Sequence, residues 1–148
     1  MAVLSVNAGS SSLKFAIYPV QGQAVGDALL TGTFEGLEPG GQGQLSWTNH
    51  SHKQREALGT GTSDPFDAAL QRLQQLLQDT PGLPALQAVA HRVVHGGEAY
   101  TQAVRVGPEV LTQLARYNSL APLHQPHNLA GIRAFAKAFP GLAQIACF

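Results

Sequence analysis

The stretch SVNAGSSSLKF, Ser5–Phe15, places one amide, one glycine, three consecutive serines and a lysine between two apolar runs. Before it, Ala2–Val6 is short, apolar and partly β-branched; after it, LKFAIYPV, Leu13–Val20, alternates well enough to be an antiparallel partner. The polar stretch is then the tip of a hairpin or near-hairpin. A tip that only reverses the chain needs a glycine or two, whereas this one gathers hydroxyls, backbone N–H groups and an ammonium in one place. Such a set suits phosphate. A polar tip with no ligand is the alternative reading of the stretch taken alone.

Two familiar loops are close to it in composition. A nucleotide P-loop needs a second glycine before its lysine and a helix beyond, but Gly9 is followed by Ser10, Ser11, Ser12, Leu13 and Lys14 and then by a strand. Ser11 to Lys14 has the SxxK spacing of serine acyl enzymes, yet that motif wants a helix on its lysine side and a KTG elsewhere, and the chain has neither.

Outward from the hairpin, ALLTGTFEGL, Ala28–Leu37, reads as a third strand, followed by the glycine-rich break EPGGQGQ and a weaker polar strand pair across Leu45–Leu58. WTNHSHKQRE is hydrophilic enough to be an exposed hairpin at a sheet edge. Asp64 and Pro65 supply an N-cap and a first helical position, and Phe66, Ala69, Leu70, Leu73, Leu76 and Leu77 then keep helical spacing as far as DTPGLP. Leu86–Val94 is a strand closed by Gly96 and Gly97. Pro108 opens a second helix with Val110, Leu111, Leu114 and Tyr117 on one face. A third runs from about Asn128 through Leu129, Ile132, Phe135 and Phe139 to the stop at Pro140 and Gly141, and LAQIACF is again a buried-strand pattern. This order predicts an α/β fold whose mixed sheet is antiparallel at its start and parallel later, with crossover helices and ligands at the carboxyl ends of its strands.

With 148 residues and 44% hydrophobic content, one domain spanning 1–148 is expected. A formal net charge of +0 provides no broad positive field for a nucleic acid or an anionic membrane, so neither is an expected partner. Cys147 is the only cysteine, and the N-terminus lacks a signal-peptide pattern, which fits a reducing cytoplasm. No apolar run is long enough to span a bilayer.

Two further segments carry chemistry. In AVAHRVVHGG, Ala88–Gly97, strand alternation puts Arg92 and Val94 on one face and His91, Val93 and His95 on the other. An arginine ending an apolar strand calls for an anion, and its planar fork matches carboxylate or phosphate. A structural ion pair with Glu98 is the alternative. His91 and His95 lie four apart on a strand, a poor zinc arrangement. In LAPLHQPHNLAGI, Leu120–Ile132, Pro122 and Pro126 stiffen a loop, Asn128 can cap the next helix, and His124 beside Leu123 could donate to a developing oxyanion or be a satisfied structural histidine.

Together VNAGSSSLKF, HRVVHGG and LAPLHQPHNLAGI, in this order and over the whole chain, resemble the acetate kinase family, with propionate and butyrate kinases as near relatives. The resemblance implies the actin, Hsp70 and sugar-kinase type of fold, which is ribonuclease H-like. It also implies direct in-line transfer of the γ-phosphoryl group of ATP to acetate or a similar short carboxylate, giving an acyl phosphate and ADP with Mg²⁺ required. By the same resemblance Asn7 helps place the metal, while Ser10, Ser12 and Lys14 engage the phosphates. Arg92 and His124 are the catalytic residues, and Arg92, Val94 and Leu123 form the carboxylate pocket. The full-length family implies a homodimer.

The chain departs from the family pattern in two respects. Relatives usually read HNP where this chain has His124, Gln125 and Pro126, and His127 replaces a small residue. Relatives are also well over twice as long, and a DTAF-type motif follows their equivalent of LAQIACF. The expectation is an N-terminal acyl- and phosphate-binding domain without the second, nucleotide-binding domain, inactive or nearly so by itself. The alternative is a non-catalytic phosphate- or carboxylate-binding module or an interaction module.

Overall fold

The computed structural model describes residues 1–9, 11–38, 41–49, 52–58, 65–93, 102–116 and 125–148, with the backbone alone for 125–127. Strand β1 (Ala2–Ala8) and strand β2 (Leu13–Gln21) pair antiparallel from Ala2 opposite Pro19 to Ala8 opposite Leu13, so the polar stretch does form a hairpin tip. A two-residue strand, β3 (Ala24–Val25), folds back on β2. Strands β4 (Leu30–Glu35), β5 (Gln44–Asn49) and β6 (His52–Ala57) continue the antiparallel series outward to an exposed edge.

Helix α1 (Pro65–Asp79) then crosses back, and strand β7 (Leu86–Arg92) lies parallel to β1 on its other side. Beyond it come strand β8 (Val104–Arg105), helices α2 (Pro108–Ala115) and α3 (Gln125–Ala138), and strand β9 (Ala143–Cys147), parallel to β7. Among the described residues the sheet has nine strands, ordered β6-β5-β4-β2-β1-β7-β9-β8, with β3 paired to β2.

Alternation decides what each face of the sheet does. Leu4, Val6 and Ala8 of β1, Leu13, Phe15 and Ile17 of β2, and Leu30, Phe34 and Leu45 beyond them are buried against Ala69, Leu70, Leu73 and Leu76 of α1 and Phe135 of α3. Val93 and Ala146 bury against Leu129 and Ile132 of α3 and Leu114 of α2. Ala146 is opposite His91, which is opposite Val6, so all three helices cover one face. On the other face Val3, Ser5, Asn7, Ala88 and Ala90 are only half-buried. None of the helices among the described residues is long and apolar enough to cross a membrane.

The structure adjusts several expectations. Helix α3 begins at Gln125 rather than near Asn128, because proline is tolerated in a first helical turn and Pro126 therefore joins the helix instead of stiffening a loop before it. Asn128 is accordingly inside the helix and not its cap. The strands β3 and β8 went unread, since two residues have no periodicity to display. The third strand is trimmed to Leu30–Glu35. Asp64, Gly96, Gly97, Glu98 and Tyr117 lie outside the described residues.

Candidate functional site

Three strands place three polar side chains in a row. Lys14 of β2 is directly opposite Asn7 of β1. Val6 is opposite His91 in the parallel pair, so Asn7 and Arg92, the next residues on each strand, share the face away from the helices. Asn7, Ala8, Gly9, Ser12, Lys14, Arg92 and Asn128 line a cleft of about 400 Å³ at the carboxyl ends of β1 and β7. Lys14 and Arg92 are exposed, and no acidic side chain is among the described lining residues. Two cations converging with no carboxylate among the described lining residues create a local demand for an anion.

The tip of the hairpin is fixed by its backbone. The Gly9 N–H donates to the Ser12 carbonyl at 2.9 Å, and the Leu37 N–H donates to the Ser11 carbonyl at 2.9 Å. Gly9 also lies close against the serine hydroxyl: a Cβ there would stand 3.1 Å from Ser12 Oγ. The glycine thus lets the turn close tightly enough to hold Ser12 beside the cleft.

Asn7, Ser12, Lys14 and Arg92, which the sequence singled out, therefore meet in one place. Ser10, Val94, Leu123 and His124 lie outside the described residues, as does Glu98, the alternative partner of Arg92. Asn128 was misread as a helix cap. It is 5% exposed, and its Nδ2 donates to the Ala8 carbonyl at 3.1 Å. The available signal was a polar residue on the same helical stripe as Ile132 and Phe135, both buried.

His91 faces the other way. It is 3% exposed, its ring lies edge-on to Phe135 at 5.4 Å between centroids, and its Nε2 is 2.6 Å from Gln144 Oε1. Gln144 Nε2 donates to the Leu142 carbonyl, which leaves Oε1 to accept from the imidazole. Burial pushes the His91 pKa down to about 4, and the bond to Gln144 only partly offsets this. His91 is a neutral tie between β7 and β9. A second cleft of about 370 Å³, lined by Ile17, Leu77, Leu83, Leu86, Phe139 and Leu142 with Gln74, Gln78 and Pro84, contains no charged side chain.

Known proteins share this architecture. Acetate kinase of Rhodopseudomonas palustris (strain TIE-1) is 42% identical over 154 residues, covering 99% of this chain and 36% of that protein. Acetate kinase 2 of Vibrio cholerae is 40% identical over 148 residues, with the same shares of 99% and 36%. Among solved structures, a propionate kinase from Francisella tularensis superposes with a TM-score of 0.86 at 31% identity, covering 99% of this chain and 36% of that one. Porphyromonas gingivalis acetate kinase does so with 0.84 at 32% identity, covering 99% and 37%. The fold is the actin, Hsp70 and sugar-kinase type of these kinases. The chain spans about 36% of the length of the curated relatives it matches. The family model for the acetokinase family matches residues 2–148, and the chain belongs to that family.

Proposed function

We propose that the cleft between the hairpin tip and Arg92 holds a phosphoryl group and a short carboxylate, and that the chain is the N-terminal acyl- and phosphate-binding domain of an acetate kinase. The observation that carries this reading is the convergence of Asn7, Ser12, Lys14 and Arg92 on one cleft at the strand ends, with no acidic side chain among its described lining residues. Transfer of a phosphoryl group from ATP to acetate, giving acetyl phosphate and ADP, passes through a loose transition state. It asks for positioning and for neutralisation of charge on the equatorial oxygens.

The residues divide that work by chemistry. Arg92 presents a planar fork that can bond two oxygens of the moving group or of the carboxylate, and Lys14 adds a point charge from the opposite side of Asn7. Ser12 supplies a hydroxyl donor next to the closed turn. His124 is assigned a further donor to the same oxygens, Ser10 a further phosphate contact, and Val94 with Leu123 the wall around the acyl methyl. The donor set also fits Mg²⁺, which takes one or two protein oxygens together with phosphate oxygens; Asn7 would supply its amide oxygen. When bound, the metal neutralises charge on the nucleotide phosphates. Adenosine binding is assigned to a part of the relatives that this chain, at about 36% of their length, does not match.

Titration of the chain with inorganic phosphate and with acetyl phosphate tests the reading. Both should bind, and Arg92→Ala should weaken each by about ten-fold or more, as expected for losing a charge-assisted pair of bonds. Absence of binding to the unaltered chain overturns it. In a hydroxamate-trapping assay with acetate, ATP and Mg²⁺, the chain by itself should show little or no turnover. A non-catalytic phosphate-binding module makes the same binding prediction. It is separated from the first reading if turnover fails to appear after the part of a relative that this chain does not match is supplied in trans.

A further inference from the structure

We propose that Asn128 is a positioning residue, whose amide sets the peptide unit from which the phosphate-facing turn is hung. The proposal rests on the reading of the cleft given above. Pairing of β1 with β7 ends at Val6 opposite His91, yet β1 runs two residues further, to Ala8. On the β2 side, Gly9 donates to Ser12, which makes Gly9 and Ser12 the hydrogen-bonded pair. The preceding pair, Ala8 and Leu13, is therefore of the kind whose N–H and C=O point away from the partner strand. The Ala8 carbonyl thus looks toward the β7 side at a level where, among the described residues, no strand pairing reaches it.

Asn128 occupies that place. Its Nδ2 reaches the Ala8 carbonyl at 3.1 Å across 120 positions of sequence, and the side chain is 5% exposed. The Ala8 carbonyl and the Gly9 N–H belong to one planar peptide unit. Asn128 holds that plane from one side and Ser12 holds it from the other, so its tilt is fixed and with it the direction in which the turn leaves β1. A turn later on α3, Gly131 lies against Ala8: a Cβ at Gly131 would stand 3.2 Å from the Ala8 Cβ. The missing side chain is what allows the helix to come near enough for the Asn128 bond.

Two variants test this on the ligand-free chain and with inorganic phosphate as the probe. Asn128→Ala removes the donor without adding charge. It should raise hydrogen exchange at the Gly9 amide by about ten-fold, leave β4 and β5 amides unchanged, and weaken phosphate by about five-fold or more. Gly131→Ala gains helix propensity, which offsets its crowding of Ala8, so the thermal midpoint should change little; it pushes α3 from Ala8 and should weaken phosphate in the same direction. Loss of affinity without loss of stability is a result that a merely structural Asn128 would not give. The proposal is overturned if Asn128→Ala folds and the Gly9 amide of the ligand-free protein exchanges as before, because Asn128 then acts on the ligand directly or not at all. If Asn128→Ala does not fold, Gly131→Ala decides alone: undiminished phosphate affinity overturns the proposal. If the unaltered chain binds no phosphate, the functional reading fails, while Gly9 exchange still decides the role of Asn128.

Discussion

His91 and Arg92 are adjacent in the chain and serve opposite ends, because strand alternation turns the first into the helices and the second toward the cleft. That division was legible in AVAHRVVHGG from period two alone. The partners of His91 were not, since Gln144 and Phe135 lie on other elements. Its pKa has a consequence for stability. Folding holds His91 neutral with a pKa of about 4 against 6.5 for the free side chain, so between these values the unfolded chain binds more protons than the folded one. The stabilisation is complete above pH 6.5 and is lost as pH falls toward 4, by an amount on the order of 3 kcal/mol. Urea midpoints measured from pH 7.5 to 4 should fall more steeply for the unaltered chain than for His91→Gln, which cannot titrate. Parallel curves would contradict the assignment.

At the scale of elements, close approach and cross-element pairing matter more than propensity. Phe15 of β2 is opposite Gly32 of β4, and a Cβ on Gly32 would stand 2.3 Å from the Phe15 ring. Gly32→Ala should therefore destabilise by about 1 to 3 kcal/mol through overpacking, although alanine is the better strand residue. A denaturation midpoint equal to or above that of the unaltered chain would show that the ring moves aside freely. The edge hairpin of β5 and β6 is fastened to α1 by Arg72, whose Nε and Nη2 donate to Glu56 at 3.0 and 2.7 Å and whose guanidinium lies 5.5 Å from the Trp47 ring centre. The hydrogen bonds and charge of Arg72 hold the Glu56 carboxyl below its ordinary pKa, against a smaller opposing effect of burial. Both side chains remain partly exposed, at 24% and 37%, so the pair is screened by solvent. Arg72→Ala should lower stability by about 1 to 2 kcal/mol, with hydrogen exchange rising in β6 first. An unchanged β6 exchange pattern would remove this role. The sequence showed an edge hairpin and an amphipathic helix, but nothing in either said that they are clasped together.

Over the whole molecule, α3 is the joint. Its Phe135 packs into the main core beside His91, its Leu129 and Ile132 form the smaller cluster with Leu114, Val93 and Ala146, and its first turn brings Asn128 to the cleft. Phe135→Ala should cost about 3 to 5 kcal/mol, since it opens a cavity where helix, sheet and His91 meet. Calorimetry or urea unfolding would show it; a loss under 1 kcal/mol would mean that the core collapses around the gap. The chain by itself determined the strands of period two, the helices of period 3.6 and the polar hairpin tip, because these are properties of residues a few positions apart. It also singled out Asn7, Ser12, Lys14 and Arg92 before their meeting place was known. Only the tertiary structure decided that β7 would lie parallel beside β1, that Arg92 would therefore stand next to Asn7, and that Asn128 would serve the end of β1 rather than its own helix. The physical reason is that a buried polar group is satisfied by whatever the packed chain brings within bonding distance, and here that partner is 120 residues away.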